Sequence, residues 1–183
     1  MHRGWCSTPN VLFPFSLRDT LLRLSAQGLY HVVWSSQILD ETTRNLVATS
    51  RMSVHQADRL RAAMERAFPE ACVDDYTDWL AAALNAPHDR HVVACALRAW
   101  ARYIVTFNLR DFEPLPAGLE ACHPDGFLCD ALEDAPGAVL EALRLQAAAL
   151  KRPPVALDEL LSGLGTTGPA FATAARRLHL REL

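Results

Sequence analysis

Three carboxylates are the residues in this 183-residue chain whose types and placement could do chemistry. Asp89 opens "DRHVVACAL" after the loop "NAPH", Asp111 follows the apolar run "YIVTF" in "NLRDF", and Glu41 lies one turn into the segment after "HVVW". Each falls near a strand-to-helix junction. Ligands of an open α/β sheet sit beyond the carboxyl ends of its strands, so parallel pairing would bring these acids toward one place. Converging carboxylates repel one another and are tolerated mainly when a cation compensates them. Mg²⁺ and Mn²⁺ prefer hard oxygen ligands, and one or two such ions can activate water and offset charge building on a phosphoryl group. The chemistry this predicts is metal-assisted phosphodiester hydrolysis. The competing reading is structural, since acids at helix N-termini and in solvated loops are common in a chain with 21 acidic residues. His88 and His91 form H-x-x-H, but no third ligand stands at zinc-site spacing.

The elements that must position these acids follow from hydrophobic periodicity. "SLRDTLLRLSAQG" predicts a helix with Ser16 as N-cap and Gly28 as its stop, and "YHVVW" a short strand. "SSQILDETTRNLVATS" places Ile38, Leu39, Thr42 and Leu46 on one helical face, capped by Ser35 or Ser36. "SVHQADRLRAAMERAFP" has Ser53 and Gln56 at capping-box spacing, and "YTDWLAAAL" continues a helical pattern. "DRHVVACALRAWA" then buries Val92, Val93, Ala96, Leu97 and Trp100 at helical spacing before the strand "YIVTF". "GLEAC" is a further strand candidate, followed by a helix from Pro124. Strands alternating with amphipathic helices imply an α/β fold around a parallel sheet. Beyond about residue 134 strand signals stop: "PGAVLEALRLQAAAL", "ALDELLSGL" and "GPAFATAARRLHL" read as helices, with a break at "KRPP". The expected organisation is an α/β domain over residues 1–133 and a small all-helical appendage over 134–183.

Half the residues are hydrophobic and the net charge is −3, which argues against a broadly basic, nucleic-acid-coating surface but does not exclude an RNA substrate, because a site for divalent metal is itself acidic. Five cysteines without a C-x-x-C pair, no recognisable signal peptide and no membrane-spanning run predict a cytoplasmic protein with reduced thiols.

The ordered set "NVLFPFSLRDTLLRL", "WSSQILDETTRNL", "DRHVVACAL" and "IVTFNLRDF" resembles a PIN domain, and specifically the VapC-type toxins of bacterial toxin–antitoxin modules, over roughly residues 7–130. The tail with "HPDGFL" and "RPPVALDELL" is similar to the C-terminal extension of one subgroup. The resemblance implies a three-layer α/β/α fold with a central parallel sheet, a Mg²⁺ or Mn²⁺ site, and endoribonuclease activity on RNA. It also implies a cognate antitoxin that occludes the site, and a homodimer. Residue by residue, Glu41, Asp89 and Asp111 match acidic, metal-holding positions. Asn108 matches a polar position on the loop after "VTFN", and Asn10 matches the Asn of an opening D-x-N motif.

The pattern breaks at Thr8, which stands where that motif carries an aspartate, and His88 stands where a further acid is expected beside Asp89. The strand before Thr8, "MHRGWCS", is also poor, with Gly4 and polar residues in place of β-branched ones. Thr8 keeps a second reading open: a catalytically inactive PIN homologue that binds an antitoxin or RNA without cutting. Trp34, Trp79 and Trp100 are expected in the core rather than as base-stacking platforms. Arg18, Arg90 and Arg110 flank the expected acidic cleft, where they contact RNA phosphates or pair with nearby acids.

Overall fold

Gly4–Ser7 forms the first strand, β1, against its own weak β-propensity. Trp5, Cys6 and Ser7 are fully buried, and β1 is paired on both sides, so tertiary context supplies what propensity lacks. Gly4 has a specific reason to be glycine: a Cβ there would stand 3.2 Å from the Cα of Ala101. The structure is a computed structural model that describes residues 4–150 and 155–181.

After β1 come the one-turn helix α1 (Pro9–Leu12), α2 (Phe15–Ala26) and strand β2 (His31–Val33). Two longer helices follow, α3 (Ser36–Ala48) and α4 (Val54–Ala67), then a 3₁₀ turn over Thr77–Ala82 where the sequence predicts a continuing helical pattern. Helix α5 (Arg90–Arg98) leads into β3 (Tyr103–Val105), a second 3₁₀ turn spans Leu109–Phe112, and β4 (Glu120–Cys122) completes the sheet. All strand pairs are parallel, in the order β2-β1-β3-β4. The chain therefore leaves β1 toward one side and returns on the other, which makes the β1–β3 junction the point where the winding reverses. Beyond β2, Trp34 forms a parallel bridge with Cys72, and its ring meets Phe68 edge-on at 5.8 Å between centroids.

The caps agree with the sequence in kind and differ in detail. Ser35, rather than Ser36, caps α3 by accepting from Ile38 N, and Ser53 and Gln56 complete both bonds of the capping box on α4. Ser16 is not a cap, because α2 begins one residue earlier, at Phe15. Ile38, Leu39, Thr42 and Leu46 are buried as their spacing predicts, and so is Trp34. Trp100 departs from expectation: it is 82% exposed. Helix α5 ends at Arg98, and the backbone turns through a positive φ of 53° at Trp100, so the helical periodicity that would bury the ring has already stopped.

The described residues divide into two units: one of those up to Phe13 with Tyr30–Cys122, the other of Pro14–Leu29 with those from His123 onward. The first holds the whole sheet. The second contains α2, α6 (Pro124–Asp134), α7 (Pro136–Ala149), α8 (Leu157–Leu164) and α9 (Pro169–Arg181). This division differs from one at residue 133, because α2 and α6 pack with the C-terminal helices: α2 on α7 and α8, α6 on α7 and α9. The expected break at "KRPP", residues 151–154, lies outside the described residues. Within the helical unit Gln146 is buried yet satisfied, donating to Ser16 O at 3.0 Å and accepting from the Thr20 hydroxyl at 2.7 Å.

Asp125 anchors the last helix. Its two carboxylate oxygens accept from Phe171 N at 2.8 Å and Ala170 N at 3.1 Å, in the first turn of α9, where backbone N–H groups have no intrahelical partner. Replacing Asp125 by Ala removes both acceptors and is expected to cost about 1–2 kcal/mol, read as a lower urea midpoint; an unchanged midpoint would contradict the anchoring role.

Candidate functional site

Thr8 stands at the winding reversal itself. It follows β1, its backbone N donates to Val105 O at 3.2 Å, and its side chain is buried. The single hydroxyl proton faces two acceptors, Val105 O at 3.2 Å and the side-chain carbonyl of Asn10. A residue at this position faces the crevice beyond two central strands, and here it brings a neutral group whose proton is committed within the protein. Asn10 itself lies exposed on α1, tied back to Thr8.

The acids approach from three elements. Glu41 projects from the second turn of α3, where its Oε1 accepts from the Gln37 amide at 3.2 Å and its Oε2 stands 3.5 Å from His91 Nε2. Asp89 is the residue before α5, but its side chain makes no cap bond with the helix. Its carboxylate is only 18% exposed, and Oδ2 stands 3.2 Å from His88 Nε2 in an ion pair without hydrogen-bond alignment, so this buried oxygen has no hydrogen bond. Asp111 lies on the 3₁₀ turn after β3, exposed, and the Asn85 amide donates to its backbone carbonyl at 3.0 Å, tying that turn to the loop before α5. Asn108 opens the same turn; its N–H is received by the Thr106 hydroxyl at 3.1 Å, and its carbonyl accepts from Asp111 N at 3.2 Å.

The electrostatics report that the three carboxylates share a neighbourhood. Burial raises the Asp89 carboxyl above the ordinary aspartate range; His88 and His91 oppose this, while Asp111 and Glu41 add to it by repulsion. His91 is 6% exposed on its side chain, and burial lowers its pKa although Glu41 and Asp89 pull it upward. Near neutral pH its ring is therefore mainly uncharged, and neither nitrogen makes an aligned hydrogen bond. An enclosed carboxylate with an orphaned oxygen, repelled by two other acids, is what a cation would relieve.

The donor set fits a hard divalent ion in kind: carboxylate oxygens, one buried and without a hydrogen bond, with amides nearby. In their present placement no three His, Cys, Asp or Glu side chains among the described residues are grouped to hold a metal ion. Glu41 is partly exposed, with a long contact to His91 and a bond from Gln37, and Asp111 is exposed.

The arginines divide. Arg90 and Arg110 are exposed, Arg90 donating to Asn85 O at 2.9 Å. Arg18 belongs to the helical unit, is 2% exposed, lies 5.8 Å from the Phe15 ring centroid, and has its pKa lowered by burial. A guanidinium so enclosed is not offered to a phosphate. Sequence reasoning passed over two residues here. His91 suggested a zinc motif, whereas its ring is buried against Glu41; Asn85, buried with its side-chain carbonyl lacking a hydrogen bond, had no signal beyond its place in the loop.

Because the folded state raises the Asp89 pKa, ionising this group costs stability; the cost is complete above the folded pKa and absent below the unfolded value of about 3.9. In chelator, Asp89→Asn is therefore expected to raise the urea midpoint at pH 7, with the advantage shrinking as pH falls toward about 3.9. A variant less stable than the parent at pH 7 would contradict this.

Comparison with known proteins agrees with the geometry. A family model described as PIN domain matches residues 9–110, and one described as VapC50 C-terminal domain matches residues 124–177. "Putative ribonuclease VapC50" of Mycobacterium tuberculosis (strain ATCC 25618 / H37Rv) is 41% identical over 106 residues, covering 56% of this chain and 63% of that relative. No solved structure matches the chain. With its parallel sheet, its acids at the strand ends and a PIN match over more than half its length, the chain belongs to the PIN-domain family, in the VapC-type form that carries a matching C-terminal domain.

Proposed function

We propose that this protein is a VapC-type endoribonuclease that hydrolyses RNA phosphodiesters, with Mg²⁺ or Mn²⁺ held by Glu41, Asp89 and Asp111. The observation that carries the reading is the buried Asp89 oxygen without a hydrogen bond, in a carboxyl already burdened by repulsion from Glu41 and Asp111. When bound, such an ion supplies Lewis acidity, offsetting charge on the phosphoryl group and making water more acidic.

The chain's own residues do the rest. The Thr8–Val105 bonds hold β1 and β3 together at the floor of the crevice, so the acids approach a fixed edge. Asn85 ties the Asp111 turn to the loop bearing Asp89, limiting how far the two acids can separate. His91 stands against Glu41 from the buried side, its ring enclosed and its Nε2 3.5 Å from the carboxylate. Asn108 and Asn10, both exposed, supply amides at the rim for water or RNA. Arg90 and Arg110 offer exposed guanidiniums for phosphates. A cognate antitoxin covering this rim, a cytoplasmic location and a homodimer complete the proposal. No helix among the described residues is long and apolar enough to cross a membrane.

Thr8 sets the expected strength of the site. A neutral side chain where a carboxylate would ligate weakens cation binding, by tens-fold or more if the ~10–100-fold loss seen for outer positions is a lower guide. With Mn²⁺, the protein is expected to cleave a labelled single-stranded RNA, Asp89→Asn to slow cleavage by about 100-fold or more, and Thr8→Asp to tighten Mn²⁺ binding tens-fold by calorimetry. Cleavage only after Thr8→Asp would mean a disabled site on a protein that binds without cutting. The nuclease reading fails if neither protein cleaves and neither binds Mn²⁺.

A further inference from the structure

Three arginines outside the acidic site pair with no acid among the described residues. Arg51, Arg59 and Arg66 line an open groove of about 540 Å³ along α4, whose floor includes Met52 and Leu60 and whose wall includes Gln56. All three are exposed, and among the described residues none forms an ion pair with a carboxylate. The acids of the same helix are engaged elsewhere: Glu65 pairs with Arg61 at 2.8 Å, and Asp58 lines a separate groove with Asp40 between α3 and α4. Uncompensated positive charge of this density, on a chain of net charge −3, is not explained by stability.

The geometry gives the row a direction. Arg59 and Arg66 are seven residues apart, so they share a face of α4 at a spacing of about 10 Å. Arg51, just before the helix, is held over the Phe13 ring at 4.9 Å from its centroid. At the other end, Phe68 follows α4 directly and packs edge-on against Trp34, the residue after β2. The Arg66 end of the row thus lies toward the carboxyl end of β2, on the side of the sheet from which α3 and Glu41 depart.

We propose that this groove is a track for the phosphate backbone of single-stranded RNA, leading it to the acidic edge of the sheet. The proposal rests on the nuclease reading for its direction but not for its binding. Guanidinium forks match phosphate oxygens, and a periodic row suits a polymer whose charge repeats along its length. The acidic edge repels such a polymer until a cation is present, so a separate basic anchor gives the substrate somewhere to bind first.

Fluorescence anisotropy of a labelled single-stranded RNA, in EDTA so that no cleavage occurs, tests it across a salt series. The double variant Arg59→Gln with Arg66→Gln, at exposed positions, is expected to bind about tenfold more weakly, with the slope of log K against log salt shallower by about 1.4 for two lost phosphate contacts. Arg59→Lys with Arg66→Lys should recover most of the slope, because charge is kept. Unchanged RNA affinity and slope in the Gln variant would overturn the proposal. So would a loss confined to binding of polyglutamate, which would assign the groove to an acidic protein. RNA that binds the parent through this row but is not cut with Mn²⁺ supports the track and counts against the nuclease reading alone.

Discussion

The paired bonds from Thr8 to Val105 O, one from the backbone and one from the hydroxyl, join the two central strands just where the chain reverses its winding. The candidate site is arranged around that junction. β1 is pinned between β2 and β3, with Gly4 allowing close approach to Ala101 at one end and Thr8 closing the other. Because the sheet is parallel, the elements that follow β1, β2 and β3 all emerge at this edge. An aspartate at Thr8 would offer a charge to the crevice; threonine gives strand closure without the charge.

That exchange shapes the electrostatics of the rest. Three carboxylates share one edge, and the protein compensates them only in part, with the exposed His88 and the buried, mainly neutral His91. Asp89 takes the strain because it is the most enclosed of the three, and its upward shift combines burial with repulsion from its neighbours. Lacking one negative charge at Thr8, the cluster repels itself less than a four-acid set would. Under the proposed function, the same missing charge weakens the hold on a cation.

Much of this was legible before the structure. The periodicity of "ILDETTRNL" and "DRHVVACAL" places Glu41 on a helix that follows a strand and Asp89 at the start of one that precedes a strand, and the caps at Ser35 and Ser53 are written in the local sequence. What escaped depends on contacts distant in sequence. Trp100 reads as core only if α5 continues past Arg98, and the turn that stops it carries no glycine to announce it. Arg18 reads as a flank of the acidic cleft, yet α2 belongs to the helical unit and the residue is buried there. β1 looks too polar and too small to be a strand, and only pairing on both sides makes it one. Neither the burial of His91 against Glu41 nor the tie from Asn85 to the Asp111 turn has a local signature.

The most direct test of a cation site at the strand ends is anomalous-difference density from crystals of the protein soaked in Mn²⁺. A peak bounded by the carboxylates of Glu41, Asp89 and Asp111, close to but not liganded by a Thr8 side chain still bonded to Val105, is the predicted result. A protein that shows no peak at that edge when saturated with Mn²⁺, or binds the ion only elsewhere, would contradict it.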